Sequence, residues 1–367
     1  MSACIREGDT VARLGGDEFV VILDDLSVSP LEAASQAELV GEKILQALSL
    51  PSALAGQVHH SSASIGVTLF SDHEETIDEL LRRADLAMYQ AKSSGRNTLR
   101  FYDPAMQAAV SARAALERDL HEALALNHFS LHYQPQLADQ RHLTGSEALL
   151  RWSHQGRGMV SPTDFIPLAE ATGLILPLGK WVLETACNQL ALWALRVDMQ
   201  HLTVSVNVSA RQFHRPEFVD VVLEVLHRTG ANPNRLKLEL TESMLVTNVE
   251  DVILKMTALK NRGVGFSLDD FGTGYSSLSY LKRLPLDQLK VDQSFVRDIL
   301  IDANDAAIAR MVIALGHALG LSVIAEGVET EEQRRMLADQ GCHAYQGFLF
   351  SRAVPVDEFE LLVLHMV

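Results

Sequence analysis

From residue 129 to the end, short runs of alternating apolar and polar residues recur, and segments of helical period separate most of them. The runs fall at residues 129–136, 144–151, 202–208, 235–241, 264–269, 286–292, 321–326 and 342–347. About eight strands interleaved with helices predict an α/β fold, a (β/α)8 TIM-like barrel. One connection breaks the rule. Residues 139–142 alone join the first two runs, too few for a crossover between parallel strands. Those two strands are expected to form an antiparallel hairpin, so the barrel is a modified one with an antiparallel first strand. The apolar stretch 174–195 carries Lys180, Glu184 and Asn188, and reads as an amphipathic helix rather than a membrane span.

Strand parity sorts the side chains. Ser205 and Asn207 share a face opposite Val204, Val206 and Val208; Lys237 and Glu239 oppose Leu236, Leu238 and Leu240; Lys290 and Asp292 oppose Leu289 and Val291. The apolar faces are expected to meet helices and the polar faces to line the barrel. Asn207, Glu239, Asp269, Lys290 and Glu326 then fall at the C-terminal ends of successive strands, where such barrels carry their active sites. Any one of them reads as a satisfied structural polar group, but five at one end are hard to explain as packing. Inward acids repel one another in a low dielectric unless cations lie between them.

Residues 266–277, FSLDDFGTGYSS, form the centre of this set. Phe266 and Leu268 share one face of a short strand, Ser267 and Asp269 the other. A Gly-Thr-Gly turn follows the adjacent Asp269 and Asp270. Taken alone, the pair fits a carboxylate bridging two divalent metals or the N-cap of a following helix. The other inward acids favour the metals. Carboxylates plus an amide oxygen suit Mg²⁺ or Mn²⁺ rather than a Cys/His zinc site, and no His pair has HExxH spacing. Lys290 is a cation among these acids, either balancing their charge or positioning a water.

The N-terminal third has a different pattern. RLGGDEF at residues 13–19 precedes the strand-like run 20–23, so Gly15, Gly16, Asp17, Glu18 and Phe19 read as a hairpin tip. Such a tip can bring backbone N–H groups to phosphates and hold a cation on its acids. A helical pattern at 31–48, a strand at 62–69 containing Gly66, and a helix at 77–92 ending at Gly95 follow. Asp103 before Pro104 disfavours helix, and residues 106–126 resume helical spacing as a linker helix. Domain limits of 1–102, 103–126 and 127–367 result.

Composition narrows the function. The 367 residues are 47% hydrophobic, with a formal charge of −16. Such an acidic chain lacks the Lys/Arg excess of a nucleic-acid polymer binder. A phosphate-ester substrate would need metals or a few placed cations. Cys4, Cys187 and Cys342 have no metal-type spacing and suit a reduced, cytoplasmic setting. Neither a signal peptide nor a membrane contact is legible, and any membrane anchor would belong to a longer parent.

Two family resemblances rest on these segments. GGDEF at 15–19, ASIGV at 63–67 and ADLAMYQAKSSGRN at 84–97 resemble the diguanylate cyclase, or GGDEF, domain. Arg6 and Asp9 form an RxxD resembling that family's inhibitory site for cyclic di-GMP, although a surface ion pair would give the same spacing. The family's domain begins well before its GGDEF turn. The chain is therefore expected to be part of a longer protein, its partial α+β GGDEF segment lacking a central strand and unable to act alone as a cyclase.

Residues 115–364 resemble the EAL domain, through EALLRW (147–152), SVNVSARQF (205–213), LELTES (238–243), DDFGTGYSSL (269–278), LKVDQSFV (289–296), VIAEGVET (323–330) and YQGFLFSRA (345–353). A minor departure is Ala353–Val354, where the family often has Pro-Leu. The resemblance implies hydrolysis of cyclic di-GMP to linear 5'-pGpG with two Mg²⁺ or Mn²⁺. Glu147, Asn207, Glu239 and Asp269 would bind one metal, and Asp269, Asp270 and Glu326 the other. Lys290 would hold or deprotonate the attacking water. Glu242 would anchor the loop after Asp269, coupling it to a homodimer interface. Gln134, Arg151 and Gln346 would face substrate, with Asp292 orienting Lys290 or a metal-bound water. A non-hydrolysing cyclic di-GMP receptor is the alternative; such receptors usually have gaps in the metal ligands or the Asp-Asp loop, and none is found here.

Overall fold

A computed structural model describes residues 4–50, 52–54, 57–59, 61–71, 75–126, 128–138, 142–245, 248–272 and 281–366. The chain divides into two compact units, Met1–Asp119 and Leu120–Val367. The boundary falls inside a continuous helix, Pro104–Leu126, which begins where Asp103 Oδ1 accepts the Ala105 N–H at 2.8 Å.

In the first unit, β1 (Thr10–Gly15) and β2 (Glu18–Ile22) form an antiparallel hairpin with Gly16 at its tip, at φ +55°. Helix Pro30–Ser49 follows, then a small hairpin of β3 (Ser52–Leu54) and β4 (Gln57–His59) that the pattern did not predict. β5 (Ser64–Val67) and β6 (Thr98–Phe101) pair in parallel, with helix Ile77–Ser93 between them in sequence. The described strands form three separate two-stranded sheets. Ala34, Ala37, Leu99, Phe101 and Val110 make a small core.

Gly66 explains why ASIGV and the helix 84–97 motif occur together. A Cβ there would lie 1.9 Å from the Ala84 carbonyl oxygen and 2.3 Å from the Met88 nitrogen. Only a residue without a side chain lets β5 lie directly on that helix.

The second unit is the expected barrel. Its strands are β7 (Phe129–Ala138), β8 (His142–His154), β10 (Thr203–Asn207), β11 (Leu236–Thr241), β12 (Gly265–Phe271), β13 (Gln288–Val291), β14 (Ser322–Ala325) and β15 (Ala344–Tyr345). β8 and β10 to β15 pair in parallel in that order, and β7 closes the ring between β15 and β8, antiparallel to both. The β7–β8 register runs from Phe129 opposite Trp152 to Ala138 opposite His142; residues 139–141 lie outside the described ones. The short β9 (Gly158–Val160) and β16 (Val354–Pro355), not foreseen, extend the sheet beside β8 and β7.

Burial follows the parity. Val204, Val206, Leu238, Leu240, Phe266, Leu268, Leu289 and Val291 belong to the hydrophobic core around the barrel. Ser205, Glu239, Ser267, Gln288 and Lys290 are the buried polar residues of the opposite faces. Helix Ile175–Trp193 is amphipathic as expected. Among the described residues, no helix is long and apolar enough to cross a membrane.

Gly66→Ala is expected to destabilise the first unit by about 1–3 kcal/mol through forced separation of β5 and its helix. Calorimetry of the full chain should show an earlier first-unit transition, with the barrel's unfolding unchanged.

Candidate active site

Lys290 is the centre of the barrel mouth. It is 1% exposed, yet its ammonium faces four carboxylates. Nζ lies 2.6 Å from Glu239 Oε2, 3.2 Å from Asp269 Oδ1 and 3.6 Å from Glu147 Oε2, and it also pairs with Glu326. β8, β11, β12, β13 and the residue after β14 thus each supply one charged group to a single point. Burial pulls the Lys290 ammonium down, and Glu147, Glu239, Glu326 and Asp269 more than reverse this, leaving its pKa well above the usual lysine value.

The acids outnumber the cation, and their protonation shows it. Burial pushes Glu239 up to about 7, with Lys290 opposing and Glu147 and Asp269 adding to the rise. Burial likewise raises Glu326 well above the ordinary range. Burial alone would raise Glu147 too, but Lys290 and hydrogen bonds from Gln346 and Asn207 hold it below its usual value. Asn207, exposed at the end of β10, donates Nδ2–H to Glu147 Oε1 at 2.6 Å.

Asp269 keeps the inward parity of Ser267, but Asp270 does not follow simple alternation. The β12–β13 register shifts between Leu268 and Phe271, and Asp270 has φ +54°. This bulge turns the chain so that Asp270 N–H donates to Asp269 Oδ1 at 3.0 Å. Asp270 then faces Asp292, and burial together with Asp269 and Asp292 raises it to about 6. Asp292 itself caps helix Gln293–Arg297, accepting the Ser294 N–H at 2.9 Å. It is not among the carboxylates paired with Lys290. Glu242 Oε2 accepts the Gly272 N–H at 3.2 Å, at the start of the loop it was expected to anchor; residues 273–280 lie outside the described ones.

A row of amides supports Glu147. Gln346 Nε2 donates to Glu147 Oε2 at 2.6 Å and to Gln134 Oε1 at 3.0 Å, and Gln136 Nε2 donates to Gln346 Oε1 at 3.0 Å. Gln134 Nε2 reaches the Ser351 carbonyl at 3.2 Å. Gln136 was not singled out in the sequence, although its parity with Gln134 in YQPQ places it inside the barrel. Deeper in the barrel, Lys237 Nζ donates to Gln288 Oε1 at 2.8 Å, which also accepts from Ser267 at 3.2 Å. Arg151, on β8 with Glu147, donates to the Leu150 carbonyl at 2.9 Å, and burial keeps its guanidinium below the usual range.

The N-terminal candidates lie in the first unit. Gly15 pairs with Glu18 across the tip formed by Gly16 and Asp17, and the Arg13 guanidinium stands 5.7 Å from the Phe19 ring centroid. Asp9 accepts the backbone N–H of Arg6 at 2.8 Å and of Asp24 at 3.1 Å. RxxD here closes a backbone turn.

The donor set suits a hard divalent cation, being carboxylates and an amide without thiolate or imidazole. Glu239 Oε1 is buried without a hydrogen-bond partner, and the acids exceed the single ammonium. Among the described residues no trio of His, Cys, Asp or Glu is already set as a metal cage; the carboxylates close on Lys290 instead.

The mouth of this barrel defines a class: an α/β barrel with an acidic, lysine-centred site at its C-terminal strand ends. Residues 117–353 match the EAL domain model, and residues 1–98 match the model described as diguanylate cyclase, GGDEF domain. The chain belongs to the EAL domain family. The bifunctional diguanylate cyclase/cyclic di-GMP phosphodiesterase MucR of Pseudomonas aeruginosa is 43% identical over 359 residues, 97% of this chain and 51% of MucR. The cyclic di-GMP phosphodiesterase PdeR of Escherichia coli is 38% identical over 358 residues, 98% of this chain and 53% of PdeR. The chain spans about half the length of these curated relatives. The solved PaMucR phosphodiesterase in complex with c-di-GMP has 44% identity and a TM-score of 0.65, covering 67% of this chain and 99% of that one.

Two outcomes are expected. Between the ordinary 4.5 and about 7, Glu239 keeps a proton in the folded chain that the unfolded chain has lost, and Asp270 does so between 3.8 and about 6. Their contribution to stability therefore falls as pH rises through that window. Glu147 changes its contribution only below 4.5 and Lys290 only above 10.5. In EDTA, the barrel's melting temperature should fall by about a few degrees from pH 5 to pH 8. Mn²⁺ should raise it more at pH 8 than at pH 5, and equal increments would contradict this charge balance. Separately, Asp270→Gly should relieve left-handed strain and like-charge crowding, raising stability by up to about 1 kcal/mol in urea titrations under EDTA, while weakening Mn²⁺ binding.

Proposed function

We propose that the barrel hydrolyses cyclic di-GMP to linear 5'-pGpG as a metal-dependent phosphodiesterase of bacterial second-messenger signalling. The observation that carries this reading is the convergence of four carboxylates from separate strands on one buried lysine. The names of MucR and PdeR, and the c-di-GMP complex of the similar PaMucR structure, support the substrate.

Glu147, Asn207, Glu239 and Asp269 would hold one Mg²⁺ or Mn²⁺, and Asp269, Asp270 and Glu326 a second. Two such ions, when bound, polarise a phosphodiester and lower the pKa of a water between them. Lys290 keeps the acids together in their absence and otherwise has N–H groups to hold the attacking water. Arg151 offers a cation to a phosphate, and Gln134 and Gln346, grouped at Glu147, would offer amides to the substrate. Glu242 secures the chain at Gly272, so the Asp269–Asp270 bulge keeps its shape.

We infer a homodimer formed through the face near the Asp269 loop. Exposed Ile301 precedes helix Ala303–Ala318 and exposed Met311 lies on it, and Ile308 of that helix lies near Gly272, which supports this choice. A cytoplasmic setting fits the substrate and the three free cysteines. The first unit holds Arg6 in a turn closed on Asp9. If its Arg6 contributes to cyclic di-GMP inhibition, Arg6→Ala relieves that inhibition.

Incubation of the full chain with cyclic di-GMP should give pGpG with Mg²⁺ or Mn²⁺ and none with EDTA, followed by chromatography. Glu147→Ala and Asp269→Asn should each lower turnover at least about a hundredfold while retaining the wild-type melting profile. Tight binding without product would reassign the barrel as a receptor.

A further inference from the structure

Gln136 is linked to the lysine-centred cluster through Gln346, which holds one of its acids. It is 2% exposed, on β7, at a bulge where the register with β8 shifts. Its Nε2 donates to Gln346 Oε1 at 3.0 Å, and Gln346 in turn donates to Glu147 and Gln134.

A carboxamide can exchange its oxygen and nitrogen by rotating about its last torsion. In the exchanged state Gln346 would set a carbonyl against the Glu147 carboxylate and the Gln134 carbonyl, and an N–H against the N–H of Gln136. Every contact would be mismatched. The row of amides therefore has one sense, fixed by the acceptor-only Glu147 and by Gln134, whose Nε2 is held on the Ser351 carbonyl, and Gln136 adds the one donor to the Gln346 oxygen. Glu147 contributes to this choice through its charge. Once a cation takes up that charge, its pull on the Gln346 N–H weakens, and the bond from Gln136 keeps the amide in place.

We propose that Gln136 is a positioning residue for Glu147, locking the Gln346 amide so that an N–H always meets Glu147 Oε2 and the carboxylate is aimed before a divalent cation binds. This rests on the reading of Glu147 as a metal ligand. Direct partners of a metal ligand, the place Gln346 holds, typically change metal affinity 10- to 100-fold when removed, and Gln136, one hydrogen bond further out, is expected at the low end of that range.

Gln136→Met keeps the volume and removes the donor. Titration calorimetry of Mn²⁺ into the substrate-free protein should show affinity about 10-fold weaker than wild type. The Mn²⁺ concentration for half-maximal hydrolysis should rise in step, with kcat regained at saturating Mn²⁺. A packing defect alone would lower the active fraction and leave that half-saturation point where it was. Gln136→Asn keeps a carboxamide but withdraws it by one methylene; it should weaken Mn²⁺ in the same direction, and it carries the test if Gln136→Met does not fold. Wild-type Mn²⁺ affinity in the folded variants, beside a metal-dependent wild type, overturns the proposal and leaves the hydrolase reading standing. A wild type that neither binds Mn²⁺ nor hydrolyses cyclic di-GMP takes down both.

Discussion

The barrel depends on an ammonium buried among more carboxylates than it can neutralise. Placing charges out of water is strongly unfavourable unless partners are near, and Lys290 has four. Burial first, and neighbouring carboxylates after it, raise the pKa of Glu239 and Glu326 above the ordinary carboxylate range. The site therefore competes for protons or for metal cations, and the two compete with each other. Hydrophobic packing of Val206, Leu238, Leu268 and Leu289 outside the ring holds the strands whose inner faces carry these charges.

Much of this was legible from side-chain parity. Alternation placed Asn207, Glu239, Asp269 and Lys290 inside, and a short connection gave the antiparallel β7–β8 hairpin. What escaped the sequence depends on backbone irregularity or on closure. Simple alternation would set Asp270 opposite Asp269, but a left-handed residue in a bulge brings its N–H back to Asp269. Asp292 caps a helix and faces Asp270, a placement fixed by where the strand stops. Gln136 and Gln346 are 210 residues apart and meet only because the ring closes. Asp9 takes part in a local turn that its spacing from Arg6 does not distinguish from an ion pair.

Strain and charge crowding coincide at Asp270. A non-glycine residue at positive φ raises the energy of the folded chain unless surrounding contacts enforce it. Glu242 at Gly272 and the pairing of Phe271 with Val291 supply that enforcement. The Asp pair is thereby held by its neighbours rather than by local preference.

The reversed β7 alters where the chain enters the barrel. In an all-parallel ring the first strand would begin at the floor, remote from the chemistry. Here Phe129 begins beside Trp152, at the mouth, and the Ser153 N–H donates to the His128 carbonyl at 3.0 Å. Helix Pro104–Leu126 ends immediately before this junction. The strand therefore enters the barrel at the rim itself, beside Ser153, which lies two residues from Arg151 on the strand carrying Glu147. The topology puts the chain's entry into the barrel and the acidic cluster at the same end of the ring.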